Sequence, residues 1–208
     1  MNSMFESISD YYTDKIKKFG TIPNGVDWKD EEGQILRFKQ LQKIITQSTD
    51  FTIGDLGCGY GKLLEYLLNK SFHKFEYIGY DLSKEMIFRA KNRFKEEGKY
   101  RFICISSPKE IKKTDYIVAS GIFNVKMDYC NEEWLEYIVS TLKEMNRKSK
   151  CGFSFNILTK YSDKEYMKDN LFYADPCFFF DYCKQQFSKN VALLHDYGLY
   201  EFTILVRK

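Results

Sequence analysis

The sequence predicts an α/β domain: a seven-stranded, mostly parallel sheet with an antiparallel last strand, helices on both faces and a helical appendage ahead of it. Three observations predict it. From residue 50 onward, short β-branched and aromatic runs alternate with helical stretches, the pattern of a parallel sheet with right-handed crossovers. The first of those runs passes into a helix through Asp55-Leu56-Gly57-Cys58-Gly59-Tyr60-Gly61. The chain ends in a hairpin about Gly198, which requires one strand to run against the rest.

In chain order, residues 5–19 carry Phe5, Ile8, Tyr11, Tyr12, Ile16 and Phe19 at helical spacing and stop at Gly20. A loop with Pro23, Asn24 and Gly25 leads to Trp28, and a second amphipathic helix spans roughly 30–47. Phe51 to Leu56 is the first strand and Lys62 to Asn69 the helix after the glycine loop. Tyr77 to Asp81 is the second strand, and Ser83 caps a helix running to about Glu97. Arg101–Ile105, Tyr116–Ser120 and Gly152–Asn156 are strands three to five, with a helix over Glu132–Asn146. Asp175 caps a further helix with Pro176 at its first position. Val191–His195 and Tyr200–Val206 form the hairpin.

Composition bounds the rest. At 208 residues and 44% hydrophobic the chain suits one globular domain with a sizeable core. We divide it into a helical N-terminal lid over residues 1–48, a core over 50–208 and, within that core, a substrate cap over 158–190. Thirty-two basic residues stand against 29 acidic ones, interleaved as on a solvated surface rather than clustered, so a dedicated nucleic-acid binder is disfavoured. Six cysteines form no CxxC pair and are expected as reduced thiols. The N-terminus lacks the pattern of a secretion signal, and no window is apolar enough to cross a membrane. A cytoplasmic protein with no membrane partner is expected; its oligomeric state has no signature here.

The glycine loop has the form of a nucleotide-type site, in which glycines admit the ligand and a helix N-terminus presents free N–H groups. Its spacing is Gly57-x-Gly59-x-Gly61, not the G-x-G-x-x-G of dinucleotide sites. Asp55 at the strand end would repel a phosphate and suits a cation such as the ammonium of a methionine moiety. This strand, loop and acid resemble the first motif of the class I S-adenosylmethionine (SAM)-dependent methyltransferases, a Rossmann-like family, over about residues 50–208. The resemblance extends to Asp81, which in that family accepts from both ribose hydroxyls, and to the antiparallel last strand. It implies SAM as cofactor, with Asp55, Gly57, Gly59, Gly61, Asp81, Leu82 and Ser120 around it. Where the family usually has an acid for the adenine amine, this chain has Ser106-Ser107, so Ser106 or backbone groups take that place. Tyr12 and Arg37 of the N-terminal appendage are further cofactor candidates, Arg37 for the methionine carboxylate.

The acceptor is read from elsewhere in the chain. After strand four stands Ala119-Ser120-Gly121-Ile122-Phe123-Asn124, without the Asn/Asp-Pro-Pro-aromatic turn common among amino-N-methyltransferases. Asn124 and Asn156 at strand ends are poor ligands for a hard cation, so no metal is expected. His195 sits in the hairpin turn at the carboxyl edge of the sheet, where ligands bind. It is the expected general base for a hydroxyl acceptor, with Asp196 or Glu201 orienting it; the other histidine, His73, precedes strand two. Trp28, Asn124, Asn156, Tyr173, Tyr197 and Tyr200 are the expected acceptor contacts. Gly25-Val26-Asp27-Trp28 and His195-Asp196-Tyr197-Gly198-Leu199-Tyr200-Glu201-Phe202 resemble a group of small bacterial methyltransferases, some from surface-polysaccharide gene clusters. O-methylation of a small polar acceptor, such as a capsule sugar or phosphorylated precursor, is the leading expectation. N-methylation of a small amine and a non-catalytic SAM-binding partner remain as alternatives.

Overall fold

The computed structural model describes residues 2–70, 72–94 and 99–208, the side chains of Asn2 and His73 excepted. The end of the helix expected to reach Glu97 lies outside them, as does the His73 side chain. Seven strands form one sheet in the order β3-β2-β1-β4-β5-β7-β6. They are β1 Thr49–Leu56, β2 His73–Asp81, β3 Tyr100–Cys104, β4 Thr114–Ala119, β5 Ser149–Leu158, β6 Asn190–Leu194 and β7 Glu201–Arg207. The first five pair in parallel, and β7 alone runs against both β5 and β6. This is the expected sheet with its one reversed strand.

The helices are α1 Asn2–Phe19, α2 Glu31–Leu41, α3 Lys62–Leu68, α4 Lys84–Arg93, α5 Asn131–Lys148 and α6 Pro176–Gln186. Among the described residues none is long and apolar enough to cross a membrane. Strand alternation divides the core between the two faces. Ile53, Phe51, Tyr116, Val118 and Leu205 meet α2, α3 and α4 through Phe38, Leu64, Leu67 and Ile87. Ile117, Ala119, Phe153, Phe155 and Phe202 meet α5 and α6 through Trp134, Ile138, Leu142 and Phe179. Polar residues set the helix starts: Ser83 Oγ accepts from Met86 N, Asp30 from Gly33 N, and Asp175 from Cys177 N.

Two features place the site. α1 lies over the carboxyl end of β2: Ser9 Oγ donates to Leu82 O at 3.1 Å, and the Thr13 and Ser83 hydroxyls are 2.6 Å apart. The turn that follows is tied back to α1 through Asp27, which accepts from Tyr11 Oη at 2.5 Å and from Lys15 Nζ at 2.6 Å. The segment expected as a cap divides in two. Its helix α6 packs on the sheet beside Phe155 and Phe202 as an ordinary flanking helix. The stretch before it is bridged to the loop after β4, where Lys126 N and Met127 N both donate to Asn170 O.

Candidate active site

The centre of the site is the turn leaving β1. Gly57 and Cys58 both donate to Tyr80 O, at 2.8 and 3.0 Å, so the loop is pinned to the end of β2. Gly57 has φ +78, and a Cβ there would overlap Ile122; only glycine lets the chain make this turn. Gly61, at φ +85, caps α3 on the far side of the loop, with Phe94 within 2.7 Å of any added Cβ.

Two carboxylates flank the loop. Asp55 is 2% exposed and accepts from Tyr77 Oη at 2.5 Å. Asp81 receives Gly59 N on Oδ2 and Ser83 N on Oδ1, both at 2.9 Å, which leaves lone pairs on each oxygen facing the cleft. Burial pushes the Asp55 carboxyl up to about 7, against the Tyr77 hydrogen bond and with help from the Asp81 charge. Burial likewise raises Asp81 to about 6 against its backbone donors.

A cavity opens from this turn. Its floor is Asp55 to Tyr60 with Asp81 and Leu82, and Ile105 and Pro108 form one wall. Ser120, Gly121 and Ile122 after β4 form the opposite wall, with Tyr137 of α5 behind. Ile8, Tyr12, Val26, Trp28 and Gln34 of the N-terminal segment roof it. Two buried polar atoms on its lining, Gln34 Oε1 and Ser120 Oγ, have no protein partner. A buried polar atom without a partner is costly unless a ligand or water completes it.

The donor set fits SAM. Asp55 and the open Gln34 oxygen suit an ammonium, and the Asp81 carboxylate suits a pair of ribose hydroxyls. Leu82, Ile105 and Pro108 offer apolar surface for a flat base. No pyrophosphate would be welcome beside two carboxylates.

The sequence-expected residues separate clearly. Tyr12, Trp28, Asp55, Gly57, Gly59, Asp81, Leu82 and Ser120 come together on the cavity. Gly61 serves the turn behind it. Ser106 faces a neighbouring groove with Ser107 and Glu110, and its backbone N–H donates to Glu110 Oε1 at 2.9 Å. Arg37, Asn124 and Asn156 point not into the cavity but at Glu201: Arg37 Nε donates to it at 2.9 Å, Asn124 Nδ2 at 3.2 Å, and Asn156 Nδ2 also donates. The tyrosine hydroxyls are engaged elsewhere: Tyr173 Oη accepts from Lys168 N, Tyr197 pairs with Thr203, and Tyr200 donates to Asp163.

His195 and Asp196 are exposed and not among the cavity-lining residues. The His195 ring lies 6.0 Å from that of Tyr161 and 6.2 Å from that of Phe202. Its turn is at the carboxyl edge, but β6 is the outermost strand, four steps from β1. At about 4.8 Å per strand that is roughly 19 Å.

Met86 and Tyr137 also line the cavity, although nothing in their sequence context separates them from ordinary core positions. Both lie on helix faces that read as packing.

The raised Asp55 value has a measurable sign. Its folded value lies above the ordinary one, so it contributes stability that is present below about pH 4 and lost as pH rises through about 7. The free protein is therefore expected to lose melting temperature between pH 5 and 8, with a shallower loss in Asp55→Asn. A cationic ligand removes the penalty on the ionised form, so SAM should raise the melting temperature more at pH 7.5 than at pH 5.5. Equal increments at both values would show that Asp55 does not face the ligand's charge.

The chain matches the family model described as a methyltransferase domain over residues 55–147. A curated protein of Mycobacterium tuberculosis (strain ATCC 25618 / H37Rv), named as a methyltransferase, is 52% identical over 166 residues, which is 80% of this chain and 98% of that protein. Among solved structures, magnesium protoporphyrin IX methyltransferase from Synechocystis PCC 6803 with bound SAH is similar with a TM-score of 0.65 at 12% identity, covering 98% of this chain and 99% of that one. The DhpI–SAM–HEP complex is similar with a TM-score of 0.67 at 10% identity, covering 99% and 98%. At these identities the structures speak to the fold.

Proposed function

The chain belongs to the class I SAM-dependent methyltransferases, and from that premise we propose that it is an O-methyltransferase acting on a small polar acceptor. A capsule or other surface sugar, or its phosphorylated precursor, is the class of acceptor we favour, and the cytoplasm is the compartment in which we place the reaction. The observation that carries this reading is the roofed cavity itself. Tyr12, Trp28, Ser120 and Tyr137 line it together, and we read them as the surroundings of a small acceptor rather than of a polymer strand.

Bound in this cavity, SAM supplies a sulfonium-activated methyl group. In this reading the chain's own residues bind and dehydrate. Asp55 and Gln34 hold the amino-acid end, Asp81 the ribose, and Leu82 with Ile105 the base. The roof formed by α1 and the following turn excludes water, so that an in-line approach is set by position. Burial raises the Tyr12 and Tyr137 hydroxyls well above their ordinary values, so both keep their protons at neutral pH. Among the described residues no histidine lines the cavity.

Purified chain incubated with methyl-labelled SAM and separate pools of sugars, sugar phosphates, amines and RNA tests this. Label on an oxygen in the sugar or sugar-phosphate pool is expected. Label confined to the amine pool would move the reading to N-methylation, and label on RNA would overturn the small-acceptor assignment.

A further inference from the structure

Outside the cavity, a buried polar cluster surrounds Glu201, the first residue of β7. This carboxylate is 1% exposed and accepts from Arg37 Nε of α2, Asn124 Nδ2 after β4 and Asn156 Nδ2 of β5. A buried carboxylate is retained only when its lone pairs are met, and three donors from three elements meet this one.

The cluster extends in two directions, and both arrive at the same glycine. In the first, Asn156 turns its other amide atom outward, and Oδ1 accepts from Gly121 N at 2.9 Å. In the second, the Arg37 guanidinium, pinned through Nε, lies 4.0 Å over the ring of Trp28. Trp28 in turn covers Gly121 so closely that a Cβ there would overlap the indole. Gly121 has φ +73 and, like Trp28, lines the cavity. The contacts form a closed circuit: Glu201 to Asn156 to Gly121, and Glu201 to Arg37 to Trp28 to Gly121.

We propose that Glu201 and Arg37 are positioning residues, which set the Trp28 indole against Gly121 and so shape the Gly121 wall of the cavity. Neither lines the cavity: Arg37 acts through Trp28, and Glu201 acts through Arg37 and through Asn156. The circuit gives the C-terminal strand a part in the active site without contributing a side chain to it, and it joins the N-terminal roof to the sheet at Gly121. That this wall matters for ligand binding rests on the reading of the cavity as the SAM site; that Glu201 and Arg37 hold Trp28 does not.

The test uses tryptophan accessibility in the full chain. Of the two tryptophans, Trp134 is fully buried and its Nε1 donates to Phe123 O, so quenching by acrylamide reports Trp28. Trp28→Phe should remove the quenchable component and establishes the assignment. Glu201→Gln should release Trp28: its quenching constant rises about twofold or more and its emission moves to the red. SAM binding should weaken by about tenfold, the lower end of what losing a partner that orients a binding group, without touching the ligand, typically costs.

Should Glu201→Gln not fold, Arg37→Lys keeps the charge but loses the flat group that stacks, and it should release Trp28 with a smaller loss of melting temperature. Melting temperatures that fall while Trp28 quenching stays at the parent value would overturn the proposal and leave the cluster as core packing only. A parent chain that binds no SAM would sink the cofactor reading, while the quenching comparison still decides the positioning role.

Discussion

Asp81→Ala is expected to weaken SAM binding by about 100-fold or more while leaving the chain folded. The carboxylate is a charged acceptor facing the cavity, and two ribose hydroxyls donating to it would each contribute about 1.5–3 kcal/mol. Their joint loss corresponds to a factor of roughly 10² to 10⁴. A second effect adds to this one. Asp81 also holds Gly59 N and Ser83 N, so its removal loosens both the glycine loop and the first turn of α4. Asp81→Asn loses the charge and keeps one acceptor oxygen, so it holds only one of the two backbone N–H groups and should fall between the parent and Asp81→Ala. Titration calorimetry on the three proteins reads the result, and a change under about threefold for Asp81→Ala would remove Asp81 from the site.

Gly57→Ala should produce the largest combined loss of stability and ligand affinity. The residue sits in the left-handed region at φ +78, which costs a side chain about 1–2 kcal/mol. The added methyl would also collide with Ile122, and overpacking of this kind typically costs about 1–3 kcal/mol. The loop relieves the collision only by moving, and it is tied to Tyr80 O through two N–H groups. Gly57→Ala combined with Ile122→Ala should recover the steric part of the lost melting temperature and not the backbone part. A single Gly57→Ala chain with the parent's melting temperature and SAM affinity would mean that the turn is not held as described.

Much of the donor side of the site was legible in the sequence because its signals are local. Asp55, the three glycines and Asp81 fall at the ends of two consecutive strands, and the short right-handed crossover between them puts those ends side by side. Ser83 and Asp175 announce their helices through caps a few residues long. The roof was legible as an amphipathic segment ahead of the sheet, since Tyr12 and Trp28 do line the cavity.

What the sequence left hidden is lateral order and long-range pairing. The hairpin turn was correctly expected at the carboxyl edge, yet nothing local says that β7 inserts between β5 and β6 and carries His195 to the far side of the sheet. Arg37 and Glu201 lie 164 positions apart, and neither periodicity nor composition marks two residues as partners over that distance. Asn124 and Asn156 were expected as acceptor contacts at strand ends, but their amides serve Glu201. For Arg37, Asn124 and Asn156 the physical reason is the same: a buried carboxylate draws nearby donors to itself, and sequence spacing does not show which donors the fold brings near.

Whether the cavity between the glycine loop and the N-terminal roof is a SAM site is decided most directly by calorimetric titration of the unaltered chain at pH 7.5. SAM should bind at one site per chain, and NAD, whose pyrophosphate would face Asp55 and Asp81, should give no heat of binding. Binding of NAD at that site, or no binding of SAM by a folded chain, would contradict the assignment of the loop, its two aspartates and the roof above them.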